Sequence, residues 1–259
     1  MNRLGRRTLL LGAPLLLAAA PVNQVRPALV PAAQPLSRMD LPWWRARHQA
    51  VLERLRQGSV DLLLLGDSIT QDLERRGPLP QQDFRPVWNQ FYAPRRAVNL
   101  GFKGDTTAHI LWRLCNGEVA GIKPKVVQLL AGANNFGRVH WHADDTFAGF
   151  EAILHELLHR LPDTKVIILS VPPSRRSVWV DVQTREINDR LAYRFASATG
   201  MRFIDVTAAF LKEGVLNPDA FYDGALEPPD PLLHPSAPTW QRMATMVEPT
   251  LAAWMDRPR

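Results

Sequence analysis

The segment Val60-Asp61-Leu62-Leu63-Leu64-Leu65-Gly66-Asp67-Ser68-Ile69-Thr70 decides the fold. Its apolar run, Val60 to Leu65, is short and ends at Gly and Asp, the pattern of a strand buried on both faces. Gly66 permits a sharp turn, and a helix can begin at Ser68 with free backbone N–H groups around it. Four further runs repeat the pattern: Ala97 to Leu100, Val126 to Leu130, Val166 to Leu169 and Phe203 to Val206. Helical periods lie between them. The clearest is Phe147, Phe150, Ile153, Leu154, Leu157, Leu158 and Leu161, at steps of three and four. Trp43 to Gln57 reads as an amphipathic helix, and Ser236 to Trp254 as the helix that closes the chain. Strands alternating with helices predict an α/β fold, a five-stranded parallel sheet covered on both faces. Ligands bind such sheets beyond the carboxyl ends of the strands.

Each strand exit is therefore a candidate place for chemistry. Ser68, at the first, is exposed to the ligand face at a helix start that favours developing negative charge; it could equally serve only as a helix cap. The second strand leads into Gly101-Phe102-Lys103-Gly104-Asp105, where Gly104 can aim an N–H at an oxyanion or simply make a turn. The third leads into Gly132-Ala133-Asn134-Asn135, where the Asn134 amide is a second donor or a loop support. Late in the chain, Asp230-Pro231-Leu232-Leu233-His234 precedes the last helix. A neutral imidazole there can take a serine proton and return it to a leaving group.

The order Gly-Asp-Ser, Gly, Gly-x-Asn and a late His resembles the SGNH (GDSL) hydrolases. The stretch Asp105-Thr106-Thr107-Ala108-His109-Ile110-Leu111-Trp112-Arg113-Leu114, with Lys123-Pro124-Lys125, is similar to the alpha subunits of intracellular platelet-activating-factor acetylhydrolase and their bacterial relatives. The resemblance implies a flavodoxin-like three-layer α/β/α sandwich and a serine esterase without metal or cofactor. It makes Ser68 the nucleophile and His234 the base, with Ser68, Gly104 and Asn134 forming the oxyanion hole. It also implies a short, acetyl-like acyl group, on a small-molecule or saccharide ester. Two positions depart from the pattern. The family's aspartate three residues before the histidine is Pro231 here, which leaves Asp230 or backbone carbonyls to orient His234. Lys103 stands where relatives commonly carry glycine. Lys103, Asn135, His142 and Trp179 are the expected substrate contacts, and the surface stretches 136–144 and 172–181 are those that could set the choice of substrate.

Rival readings are an acyltransferase using the same Ser-His pair and a non-catalytic carbohydrate-binding domain. A third is a zinc protease, because His155-Glu156-Leu157-Leu158-His159 fits H-E-x-x-H. That pentapeptide puts its polar residues on the face opposite the helix's apolar one, and Pro162 follows soon after, so a solvated face is the expectation. Cys115, the single cysteine, allows no disulfide within the chain and is expected to pack in a helix.

Residues 1–20 combine Arg3, Arg6 and Arg7 with an apolar run to Ala18-Ala19-Ala20, the layout of an export signal, and Arg6-Arg7 fits a twin-arginine signal. An exported, periplasmic or secreted protein with no stable membrane insertion after cleavage is the expectation. Residues 21–42 are Pro-rich and read as a tether or an arm on the domain, and 43–259 as the hydrolase domain. Losing residues 1–20 removes three arginines and no acid, so the net charge falls from +6 to +3. Such a mild, dispersed excess excludes a nucleic-acid partner as the expectation.

Overall fold

The computed structural model describes residues 29–256; the expected export signal and the first part of the Pro-rich stretch lie outside them. Five parallel strands, β1 (Leu62–Gly66), β2 (Ala97–Gly101), β3 (Val126–Leu130), β4 (Lys165–Leu169) and β5 (Met201–Ile204), form one sheet in the order β2-β1-β3-β4-β5. The register pairs Leu62 with both Ala97 and Val126. β1, β2 and β3 are buried along their whole length. This is why short, largely apolar runs, broken only by Asn99 in β2 and Gln128 in β3, marked them.

The helices are α1 (Pro42–Arg56), the short turns α2 (Ser68–Gln71) and α3 (Arg85–Val87), α4 (Thr107–Arg113), α5 (Ala133–Gly137), α6 (Ala143–Arg160), α7 (Val178–Phe195) and α8 (Ala237–Met255). α4, α6 and α7 pack together in one layer, and α8 lies against β3 and α3 in the other. The architecture is the three-layer α/β/α sandwich expected from the alternation. A small antiparallel pair, β6 (Leu211–Lys212) with β7 (Val215–Leu216), follows β5.

The arm from Leu29 to Leu41 lies on the α4–α6 layer. Ala32 is wholly buried, its carbonyl accepts from Thr107 Oγ1 at 2.8 Å, and Leu36 N–H reaches the Ala108 carbonyl at 3.1 Å.

Three local expectations need correction. β5 starts and ends two residues before the apolar run from Phe203 to Val206. It is an edge strand, half-exposed, and Arg202 sits inside it. Cys115 is exposed and donates to Glu156 Oε1 at 3.3 Å. The chain leaves helical geometry at Asn116 (φ −112°, ψ 36°) and Gly117 (φ 107°), ending the helix whose interior would have buried it. Leu158 is likewise exposed, although it falls in the apolar series of α6.

Candidate active site

The exit of β1 is forced by close packing. A Cβ on Gly66 would stand 2.2 Å from Thr70 Oγ1 and 2.4 Å from the Leu130 carbonyl, so only glycine lets α2 fold back this tightly. Asp67 caps α2, its Oδ1 accepting from the Ile69 N–H at 2.9 Å. Ser68 is the first residue of α2, so its N–H has no partner within the helix.

His234 Nε2 lies 3.0 Å from Ser68 Oγ, across 166 residues of sequence. The other ring nitrogen, Nδ1, lies 2.6 Å from Asp223 Oδ1. Asp223 Oδ2 also accepts from the backbone N–H groups of Leu233 (2.7 Å) and His234 (2.5 Å). One buried carboxylate thus fixes both the ring and the backbone of the base.

The carboxylate that orients His234 is therefore Asp223, eleven residues upstream, and not Asp230. Asp230 is exposed and meets this assembly only through its N–H, which donates to the Asp223 carbonyl at 3.2 Å. The reason lies in the backbone. Phe221 bridges to Pro235, Tyr222 N–H donates to the His234 carbonyl (3.1 Å) and Ser236 N–H to the Ala220 carbonyl (2.8 Å). Residues 220–223 and 234–236 thus run side by side, and the intervening residues, Asp230 among them, loop away.

Tyr222 stacks on the imidazole, with centroids 5.5 Å apart and planes 17° from parallel. Its hydroxyl donates to Asp72 Oδ2 and accepts from Arg75 Nη1, both at 2.6 Å. Neither Asp223 nor Tyr222 was singled out from sequence. The one local signal was a Tyr-Asp-Gly turn after Phe221.

Burial disfavours a charged imidazole at His234. The hydrogen bond and charge of Asp223, with the charges of Asp72 and Asp67, outweigh it and hold the pKa above the ordinary histidine value. Asp67 is pushed up to about 7 by burial, against the opposing pull of the Ile69 N–H and of His234.

Opposite the base, the β2 exit makes a tight turn in which Asp105 N–H donates to the Phe102 carbonyl at 3.1 Å. Gly104 has φ +77°, open to glycine at little cost. Its N–H has no acceptor among the described residues. The Asn134 amide, on α5, donates to the Asp105 carbonyl at 3.0 Å and to Asp67 Oδ2 at 3.3 Å. That amide therefore stands between the nucleophile's turn and the Gly104 turn. Beneath it, Asp105 is buried and holds Arg113 Nε (2.9 Å), Trp44 Nε1 (2.8 Å) and Arg38 Nη1 (3.0 Å). Arg113, also buried, pairs with Glu118 and donates to the Gly66 carbonyl at 3.1 Å. Glu118 in turn holds His48 Nδ1 at 3.1 Å.

A cavity of about 350 Å³ opens at Ser68, lined by Gln71, Asp72, Glu74, Arg75, Lys103, Tyr222 and His234. Lys103 is exposed at its rim. Asn135, expected to touch substrate, is wholly buried. Its Oδ1 accepts from the Thr107 N–H (3.0 Å) and its Nδ2 donates to Thr107 Oγ1 (2.8 Å), so it ties α5 to α4 instead. His142 and Trp179 do not line the cavity; they pack on each other, centroids 5.7 Å apart, beside His140 and Phe136. On α6, His155 and His159 are exposed, and Glu156 is taken by Arg160 Nε at 2.5 Å and by Cys115.

A serine hydroxyl at the first strand exit, an imidazole–carboxylate pair behind it and amide groups opposite are the parts a serine hydrolase of the α/β/α type requires. The chain belongs to the GDSL-like lipase/acylhydrolase family, whose model matches residues 64–239, and it is an ester-hydrolysing enzyme. It is 29% identical over 198 residues to the platelet-activating factor acetylhydrolase IB subunit alpha2 of Gallus gallus, covering 74% of this chain and 81% of that protein. Among solved structures, a GDSL-like lipase from Bacteroides thetaiotaomicron superposes with a TM-score of 0.62 at 18% identity, over 80% of this chain and 97% of that one. A carbohydrate acetylesterase family member from Sinorhizobium meliloti gives 0.56 at 15% identity, over 76% and 100%.

Proposed function

We propose that the chain hydrolyses short-chain esters, acetyl esters above all, of a hydroxylated, saccharide-like alcohol through an acyl-enzyme. Ser68 Oγ attacks the ester carbonyl as His234 Nε2 takes its proton. Asp223 holds the ring in the tautomer that presents a lone pair to the serine and stabilises the imidazolium that forms. The tetrahedral oxyanion is received by the N–H groups of Ser68 and Gly104 and by the Asn134 amide, which exchanges its long bond to Asp67 Oδ2 for the oxyanion. His234 then protonates the departing alcohol, and water releases the acid.

The observation that carries this reading is the continuous chain Ser68–His234–Asp223, at 3.0 and 2.6 Å. The substrate class rests on the cavity at Ser68, whose lining is polar or charged at nearly every position. A long acyl chain there would strip water from the paired charges of Asp72, Glu74 and Arg75, a desolvation that short acyl groups and hydroxylated alcohols avoid. The platelet-activating-factor acetylhydrolase and carbohydrate acetylesterase relatives support the acetyl preference. Export is part of the same proposal and rests on Arg6-Arg7 and the apolar run behind them; among the described residues no helix is long and apolar enough to cross a membrane.

A p-nitrophenyl ester series of increasing chain length tests the proposal. Acetyl or butyryl esters should be cleaved fastest, and Ser68→Ala should lose about a thousandfold or more in kcat. Equal rates in the variant would remove the nucleophile, and a preference for long chains would remove the substrate class.

A further inference from the structure

Most arginines around the site are paired within the protein. Arg38 is bound by Asp105 and the Lys103 carbonyl, Arg113 by Asp105 and Glu118, and Arg75 by Asp72 and Tyr222. Arg176 is different. It stands in the β4 exit loop, half-buried, and among the described residues no carboxylate lies within ion-pair distance. Its single hydrogen bond is a long one, Nε to Ser174 Oγ at 3.3 Å. Four N–H donors of a permanently charged fork are thus left without a protein acceptor.

Its position is specific. The guanidinium occupies the space where a side chain on Gly137 would stand: a Cβ there would be 1.6 Å from Nη1. Gly137 ends α5, the helix that carries Asn134. From this seat Arg176 lies within electrostatic reach of Asp67, beside the nucleophile, and of Asp223, behind the base. The next cation, Arg138, lies against the other oxyanion-donor turn, its Nη1 2.4 Å from where a Cβ of Gly104 would be. It too has no acid partner among the described residues.

We infer that Arg176, which stands outside the lining of the cavity at Ser68 and against the end of the helix that carries Asn134, is a specificity-determining residue, its guanidinium receiving a carboxylate or phosphate on a part of the substrate that reaches past Asn134. The inference rests on the proposed esterase function. Its physical basis is that half-burying a guanidinium without a counter-charge is costly, and a ligand that supplies two acceptor oxygens recovers that cost through a bidentate pair. The charge-balancing alternative, in which Arg176 only offsets Asp67 and Asp223, makes a different prediction. It would act on every substrate alike and through the pH profile.

The test compares acetate release by the full chain from three acetyl esters: a neutral methyl hexoside, the matching uronic acid and the matching sugar phosphate. Wild type should favour at least one anionic ester by about tenfold in kcat/KM, and which one identifies the anion. Arg176→Gln should bring that ratio near one, Arg176→Lys should keep part of it, and added salt should erode it in wild type only. A ratio unchanged by Arg176→Gln overturns the inference. So does a uniform loss on all three esters with a shifted pH profile. If no sugar ester is cleaved although p-nitrophenyl acetate is, the saccharide reading falls. The Arg176 ratio is then decided on p-nitrophenyl acetate against its ring-carboxylated analogue.

Discussion

The oxyanion side of the site rests on Asp105, Arg113, Glu118, Trp44 and His48, all buried and bonded to one another. The base side hangs His234 from a surface loop through Asp223, with the imidazole side chain still 20% exposed. The first arrangement fixes backbone: it holds the Gly104 turn and, through the Gly66 carbonyl, the end of β1. In the proposed mechanism those donors must be in place before charge develops, and rigidity would make them effective. The second, in the same proposed mechanism, must accommodate a ring that gains and loses a proton in each cycle. A single carboxylate with three hydrogen bonds is enough to set its orientation. Buried ion networks contribute little net stability compared with apolar packing, so the first side is best understood as holding geometry.

The comparison breaks most visibly at Asp223. Asp223→Asn keeps the shape but favours the wrong imidazole tautomer, and kcat on p-nitrophenyl acetate should fall by about 10⁴ with little change in melting temperature. A loss under tenfold would return the orienting role to backbone carbonyls. The oxyanion side should fail in the opposite currency. Arg113→Met removes the cation shared by Asp105 and Glu118, leaving Asp105 to Arg38 and Trp44 and Glu118 to His48, and should cost about 3 kcal/mol of stability, read by urea denaturation. If stability is unchanged and only kcat drops, the network is not what holds the turn.

How far the sequence could be read follows the same division. The oxyanion side is local. Gly66 to Thr70, Gly104 to Leu114 and Gly132 to Asn135 each sit within a few residues of a buried strand, so strand runs and turn residues located them. The sandwich itself was legible because β1 is leucine up to Gly66 and β3 is apolar except at Gln128. β5 was misplaced because an edge strand has one solvated face, and Arg202 interrupts the apolar run. Asp223 was missed because nothing periodic fixes a loop's length. Its place beside His234 comes from the pairing of Phe221 with Pro235, a tertiary event. Asn135 was misread for the converse reason: an amide beside a site in sequence faced inward to Thr107.

The pH profile sharpens the base side further. Only neutral His234 can accept the serine proton, and its pKa is held above the ordinary histidine value of about 6.5 by Asp223 with Asp72 and Asp67, against the burial that lowers it. Wild-type kcat/KM should therefore rise with pH through a midpoint above that value. In Asp223→Asn the largest raising influence is gone while burial remains, so the midpoint of the residual activity should move to lower pH. A midpoint that does not move would assign the raised value to Asp72 and Asp67 alone.

The smallest effect is expected at Asp230, and its smallness carries information. Asp230 stands one residue before Pro231, the position where the family pattern puts the triad acid, yet its side chain is exposed and only its N–H touches the assembly, through the Asp223 carbonyl. Asp230→Asn preserves that N–H, so kcat/KM should stay within about twofold of wild type and the acid limb should not move. Asp230→Pro removes the donor and with it the strut between the outer loop and Asp223. A loss larger than in Asp230→Asn would then show that the loop supports the base through backbone alone. If Asp230→Asn instead matched Asp223→Asn, the loop would have to exchange carboxylates during turnover, and the base side would be a moving part with two alternative acids.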